Sequence, residues 1–168
     1  NTLFKIIGYE QNMGLGYALN FGLSHVTCEY VMRMDTDDVV MPYRFERQLK
    51  FMELHGLDLC SGHILEFADI DSGVTLGKRE VPQGSTQINK RYPWRSPFNH
   101  MAVCFRKSAI LKIGGYEVVE LYEDYYLWWK AYRVLQYDNM DEILVHATFD
   151  LSQIERRTGY SIFKRELR

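Results

Sequence analysis

Residues 29–38 read Glu-Tyr-Val-Met-Arg-Met-Asp-Thr-Asp-Asp, and this stretch decides the fold. Tyr30, Val31, Met32 and Met34 form a short apolar run of strand type, which Asp35-Thr36-Asp37-Asp38 then breaks with three carboxylates. Open α/β sheets bind ligands outside the carboxyl ends of their strands, so acids at this position are candidates for chemistry. Upstream, Leu3, Phe4, Ile6 and Ile7 predict a buried strand. Leu15, Ala18, Leu19, Gly22, Leu23 and Val26 recur at steps of three and four and predict a helix over 16–25 that packs on the sheet. Strand, helix and strand together read as a βαβ unit with a right-handed crossover.

Downstream, Pro42 suits the entry to a helix whose apolar stripe is Phe45, Leu49 and Met52 and whose stop is His55-Gly56. Residues 58–62 read as a strand, and 63–79 as an antiparallel hairpin around 69–73. Residues 82–97 form a loop with one short helix, and a loop this long in a compact domain is usually functional. A strand over 101–105, a helix over 107–113, a break at Gly114-Gly115, a helix over 123–135 and a strand over 143–149 follow. The chain reads as one domain, with a further helix over 160–168.

The 168 residues are 46% apolar and 25% charged, enough for one hydrophobic core without a disulfide scaffold. A net charge of -2 gives no electrostatic footprint for nucleic acid. Cys28, Cys60 and Cys104 are odd in number and sit among apolar neighbours, which predicts buried thiols in a reducing, cytoplasmic setting. No apolar run reaches the length of a membrane span. The abrupt opening at Asn1 predicts a fragment.

Two acidic groups stand out. Asp35 and Asp37, one residue apart, can face one crevice, and hard carboxylate oxygens suit Mg²⁺ or Mn²⁺ held against a diphosphate. The alternative is a solvated turn in which Asp38 caps the next helix. Glu123-Asp124 opens a helix rich in aromatics, where the local field keeps a carboxylate ionised and able to accept a proton. Trp128, one turn on, either orients Asp124, offers a flat face to a sugar, or belongs to the core. His100, after the long loop, is a candidate substrate contact or a structural histidine, and the five histidines lack zinc spacing. Arg156-Arg157 offers two donor forks for a diphosphate or is an exposed basic pair. Lys164, Arg165 and Arg168 make the C-terminus basic, a solvated face or a surface for anionic lipid.

The order of these signals resembles a known family. Residues 12–20, Asn-Met-Gly-Leu-Gly-Tyr-Ala-Leu-Asn, resemble the Asn-x-Gly-Leu-x-x-Ala-x-Asn segment of the inverting nucleotide-sugar glycosyltransferases of family 2. Tyr30 to Asp38 with Pro42, Arg44 and Gln48, then Gly114-Gly115-Tyr116, then Glu123-Asp124 with Leu127-Trp128, resemble its further elements. Arg156-Arg157 and Gly159 are similar to the end of capsule and exopolysaccharide transferases of the amylovoran type.

The resemblance implies an α/β fold of GT-A (Rossmann-like) type, with a mixed, mostly parallel sheet flanked by helices and truncated at the N-terminus. It implies a donor-binding part over 1–62, an acceptor-side part over 63–150 and a basic tail over 151–168. The implied reaction transfers a sugar from a nucleotide donor, most commonly UDP, to a saccharide or lipid-linked saccharide with inversion, in bacterial surface polysaccharide synthesis. Asp35 and Asp37 would hold Mn²⁺ or Mg²⁺, and Asn12, Arg156 and Arg157 would join them at the donor. Asp124 would be the general base, supported by Glu123, with His100, Gly115, Tyr116 and Trp128 on the acceptor side. The implied setting is the cytoplasm at the inner face of the plasma membrane, with peripheral membrane contact and a homodimer through the exposed sheet edge. A metal-dependent phosphohydrolase using Asp35, Asp37 and Asp124, and a non-catalytic binding module, are the rival readings.

Overall fold

A computed structural model describes residues 4–71, 73–119 and 121–148. Helix α1 covers Leu15–His25, strand β1 Tyr30–Met32, β2 Val39–Val40 and helix α2 Arg44–Leu54. The chain continues through β3 Leu59–Asp69, β4 Val74–Arg79, α3 Ser85–Arg91, a 3-10 turn at His100–Ala102, β5 Cys104–Arg106, α4 Lys107–Lys112, α5 Glu123–Ala131 and β6 Tyr137–Thr148.

The strands make one sheet in the order β1-β5-β3-β6-β2, with β4 also paired to β3. The mixed character is as expected, but parallel pairing among the described residues is confined to β3 with β6. The four other pairings are antiparallel, so the sheet is not mostly parallel over this region. β3 is the hub: Leu59 and Cys60 pair with β5, residues from Ile64 to Asp69 pair with β4, and β6 runs beside it from Leu59 to Phe67. Strand and hairpin arm, read separately at 58–62 and 63–79, are thus one continuous strand.

The strand expected at 3–7 does not form over residues 4–7, and Leu3 lies outside the described residues. Phe4 is 83% and Ile6 97% exposed, and no strand among the described residues pairs with them. A strand needs a neighbour to satisfy its backbone groups, and without one an apolar run stays unpaired. The βαβ unit is therefore not present among the described residues; β1 instead pairs antiparallel with β5, Val31 opposite Phe105.

The main core lies under α5, whose Leu127, Trp128 and Ala131 are buried against Leu59, Val103, Phe105 and Ile110. α5 ends at Ala131, short of the expected residue 135, and Val134 points outward while Leu135 returns to the core. On α2 the buried positions are Arg44, Gln48 and Met52, whereas Phe45 is exposed, so the stripe is rotated by one residue from the apolar reading. Cys60 and Cys104 are buried opposite each other on β3 and β5, and Cys28 is exposed, contrary to expectation.

Candidate active site

A cleft of about 930 Å³ lies where the end of β1, the entry to α1, the 3-10 turn and the start of α5 meet. Asn12, Asp35, His100, Glu123 and Asp124 all line it, so five candidates from four distant parts of the sequence converge.

Asn12 first shapes its own loop. Its Oδ1 accepts a hydrogen bond from the Gly14 amide at 3.0 Å, and Gly14, at φ 84°, then turns the chain into α1. Gly16 lets α1 approach the loop before α5: a Cβ there would lie 2.2 Å from the Glu117 carbonyl oxygen.

Asp35 does not stand alone. Arg33 Nη1 donates to its Oδ2 at 2.7 Å and Nη2 pairs with Oδ1, a two-pronged ion pair at the mouth of β1. Arg33 lines the cleft as well. Nothing in a single Arg-x-Asp spacing marked it, since the two side chains meet only once the chain leaving β1 is held in place.

Asp37 is exposed and does not line the cleft, while its carbonyl accepts a bond from Thr148 Oγ1 at 3.0 Å. Asp38 turns inward: it is buried, Oδ2 has no hydrogen-bond partner among the described residues, and its carboxyl is pushed up to about 6. Burial is the first cause and the charges of Asp35 and Asp37 the next. It caps no helix, so the solvated-turn alternative fails at that residue. α2 begins instead with Arg44, whose amide bonds to Met41 O at 2.9 Å.

Among the described residues no three His, Cys, Asp or Glu side chains converge as a metal cage. Asp35, on the cleft, and Asp37, two residues on, are the carboxylates that would hold a cation shared with substrate, since a divalent ion bound through one or two carboxylates takes its remaining oxygens from phosphates and water. The crowding of Asp35, Asp37 and the orphaned Asp38 Oδ2 supplies the negative field that such an ion would relieve.

Behind the motif, Arg44 is fully buried. Its Nε donates to Gln48 Oε1 at 3.1 Å and Nη2 to the carbonyls of Arg33 at 2.8 Å and Val103 at 3.3 Å. Burial lowers its guanidinium to about 10. Gln48 Nε2 donates to Ala102 O at 2.8 Å. These two polar side chains lock the backbone of Arg33 to Ala102 and Val103, which lead into β5, and so fix the acidic turn.

Glu123 and Asp124 occupy the first turn of α5, Glu123 buried and Asp124 half-buried. Both sit at the end of the helix where acidic side chains complement the macrodipole. Leu121, just before them, has φ 70°, a conformation that costs a branched residue on the order of 1–2 kcal/mol, and it also lines the cleft.

His100 Nε2 and the Tyr116 hydroxyl lie 3.0 Å apart. Burial, then the nearby charge of Arg33, holds His100 well below the usual imidazole range, and burial raises the Tyr116 hydroxyl above the usual phenol range. Both are neutral at physiological pH. The acceptor-side expectation is corrected for three residues. Trp128 is fully buried and packs edge-on to His100, with ring centroids 5.8 Å apart, so it presents no face to a sugar. Tyr116 is buried and reaches the cleft only through His100. Gly115 serves close packing: at φ 67°, a Cβ would lie 2.6 Å from Asn20 Oδ1. Asn20, the last fixed position of the 12–20 segment but given no role by the sequence, clamps Tyr116 by accepting from its amide at 2.9 Å and donating to its carbonyl at 2.8 Å. Arg156 and Arg157 lie outside the described residues.

The family model for Glycosyl transferase family 2 matches residues 1–114, about two-thirds of the chain. The chain belongs to glycosyl transferase family 2. It is 35% identical over 164 residues to the amylovoran biosynthesis glycosyltransferase AmsE of Erwinia amylovora, covering 96% of this chain and 60% of that protein. It is 41% identical over 154 residues to the Escherichia coli UDP-Gal:alpha-D-GlcNAc-diphosphoundecaprenol beta-1,3-galactosyltransferase, covering 89% of this chain and 54% of that one. The family 2 chain thus spans somewhat over half the length of these relatives, which work in polysaccharide biosynthesis or on a lipid-linked sugar by name. S. aureus TarS, residues 1–349 in complex with UDP-GlcNAc, superposes with a TM-score of 0.64 at 17% identity over 90% of this chain and 44% of that chain. This likeness establishes the GT-A fold. Among the described residues no helix is long and apolar enough to cross a membrane.

Proposed function

We propose that the protein to which this chain belongs transfers a sugar from a nucleotide-sugar donor, a UDP-sugar, to a lipid-diphosphate-linked saccharide with inversion, in bacterial surface polysaccharide synthesis. The observation that carries this reading is the convergence of Asn12 and Asp35 with His100, Glu123 and Asp124 on one cleft. Sugar transfer needs that pairing of a donor side with a base on the acceptor side.

Residues 1–62 are assigned to the donor, 63–150 to the acceptor and 151–168, with Arg156 and Arg157, to the departing diphosphate. Asp124 takes the proton of the acceptor hydroxyl. The hydroxyl oxygen then bonds to the anomeric carbon from the face opposite the leaving group, the bond to the diphosphate breaks, and the nucleoside diphosphate departs. Glu123 supports Asp124 from the same helix turn. His100, neutral and held by Tyr116, orients the acceptor by hydrogen bonding. Arg33 fixes the Asp35 carboxylate, and Asn12 holds the loop that faces the donor. A divalent cation, Mn²⁺ or Mg²⁺, held by Asp37 and Asp35, supplies charge neutralisation at the diphosphate when bound. The reaction is placed in the cytoplasm at the inner face of the plasma membrane.

Two measurements test this. Thermal unfolding of the 168-residue chain with UDP, GDP or dTDP and Mn²⁺ should show stabilisation by one nucleotide only when the ion is present. The gain should be about 2.7 kcal/mol at 100 times the dissociation constant. In the full-length protein, Asp124→Asn should reduce transfer by about 10²–10⁴ while donor binding is kept. Hydrolysis of the donor without any acceptor would instead select the phosphohydrolase, and loss of donor binding in Asp124→Asn would remove it as the base.

A further inference from the structure

A second pocket, of about 270 Å³, adjoins the cleft and is lined by Lys78, Arg79, Arg91, Arg95, Glu66 and Glu80. Its carboxylates are already engaged, Glu66 with Arg79 at 3.0 Å and Glu80 with Lys78 at 2.8 Å. Arg91 and Arg95 have no carboxylate partner among the described residues, although they sit one turn apart, the Arg95 amide bonding to Arg91 O at 3.1 Å. Arg91 Nε is buried without a hydrogen bond among the described residues, and burial followed by the charge of Arg95 depresses its guanidinium. Two like charges brought together on a folded wall are destabilising unless an anion joins them. Between them in sequence stands Trp94, an indole 88% exposed whose amide bonds to Arg91 O at 3.0 Å.

We propose that this pocket binds the diphosphate of a lipid-linked acceptor, with Arg91 and Arg95 on the phosphate oxygens and Trp94 against the first units of the lipid chain. The assignment rests on the acceptor class proposed above and locates its charged group. Arginine forks match phosphate oxygens in pairs, and an indole suits the boundary between water and lipid. The pocket is continuous with the cleft, because Arg79 borders both and Arg95 in the pocket is followed directly by Ser96 in the cleft. A sugar attached to the bound diphosphate therefore extends toward the cleft that holds Asp124.

The test uses the 168-residue chain in EDTA, so that no metal-dependent nucleotide binding contributes. Farnesyl diphosphate, inorganic pyrophosphate and phosphatidylglycerol vesicles are titrated separately, by calorimetry and by tryptophan emission. Farnesyl diphosphate should bind and shift the emission to the blue. The double variant Arg91→Gln/Arg95→Gln should bind it about tenfold or more weakly. Trp94→Ala should weaken farnesyl diphosphate and leave pyrophosphate unchanged, and circular dichroism of each variant confirms folding at these surface positions. Unchanged affinity in the double variant overturns the proposal. Binding of phosphatidylglycerol vesicles with the same arginine dependence overturns it too, in favour of a general lipid headgroup surface. Neither sugar transfer nor nucleotide enters the measurement, so failure of the donor or base assignment leaves these readings unchanged.

Discussion

Arg44 is a cation in the core, and its value lies in the carbonyls it satisfies. Replacing it with Met keeps most of the volume but leaves the Arg33 carbonyl and the Gln48 amide oxygen without this donor, while the Val103 carbonyl keeps the Arg33 amide at 3.1 Å. Each unsatisfied buried group costs about 1–3 kcal/mol, so Arg44→Met should lower stability by roughly 2–4 kcal/mol in urea unfolding. A hydropathy pattern does not reveal this residue, since charged side chains are read as exposed; only the Pro-x-Arg-x-x-x-Gln spacing of the family hinted at it. His100 carries a pH signature. Its native imidazole stays neutral below 6.5 while the unfolded chain protonates, so the unfolded state binds more protons there. Stability from this residue is therefore complete above pH 6.5 and is lost as pH falls toward the depressed native value. Urea midpoints measured from pH 7.5 down to 5 should fall less steeply for His100→Gln than for the wild type.

Helix α1 shows how one element carries two opposite glycine effects. Gly22 has open space around the position of a Cβ, so Gly22→Ala should stabilise the protein by about 0.5–1 kcal/mol through helix propensity. Gly16 has the Glu117 carbonyl 2.2 Å from that position, and a clash with backbone cannot be relieved by a rotamer change. Gly16→Ala should reverse the sign and cost about 1–3 kcal/mol, with both values read from chemical denaturation. The periodicity of α1 was legible in the sequence, as were α4, the hairpin of β3 and β4, and the start of α5. The stripe of α2 was misread at two positions because Arg44 and Gln48 are buried through hydrogen bonds, and α5 ends at Ala131, after which Val134 is exposed and Leu135 returns to the core. Apolar character drew Trp128 toward a sugar-platform reading, yet the same character packs it beneath His100.

At the scale of the whole molecule, the cleft exists because residues far apart in sequence are held together. Asn20 does much of this, joining α1 to the Gly114-Gly115-Tyr116 break across 96 positions with both halves of its amide. Asn20→Ala should cost about 2–4 kcal/mol and speed amide hydrogen exchange at Tyr116 by more than at residues of β3, because two buried backbone groups lose their partner. By itself the sequence determined the α/β class, the family, the acidic turn after β1 and the acid pair opening α5, because each is written in local periodicity or short spacing. Only the tertiary structure decided that Arg33 holds Asp35, that Asp38 faces inward and Asp37 outward, that Trp128 and Tyr116 are buried, and that β3 pairs with strands of both directions. Those outcomes depend on which distant groups satisfy a buried charge, carbonyl or strand edge, and that accounting closes only when the whole chain is folded.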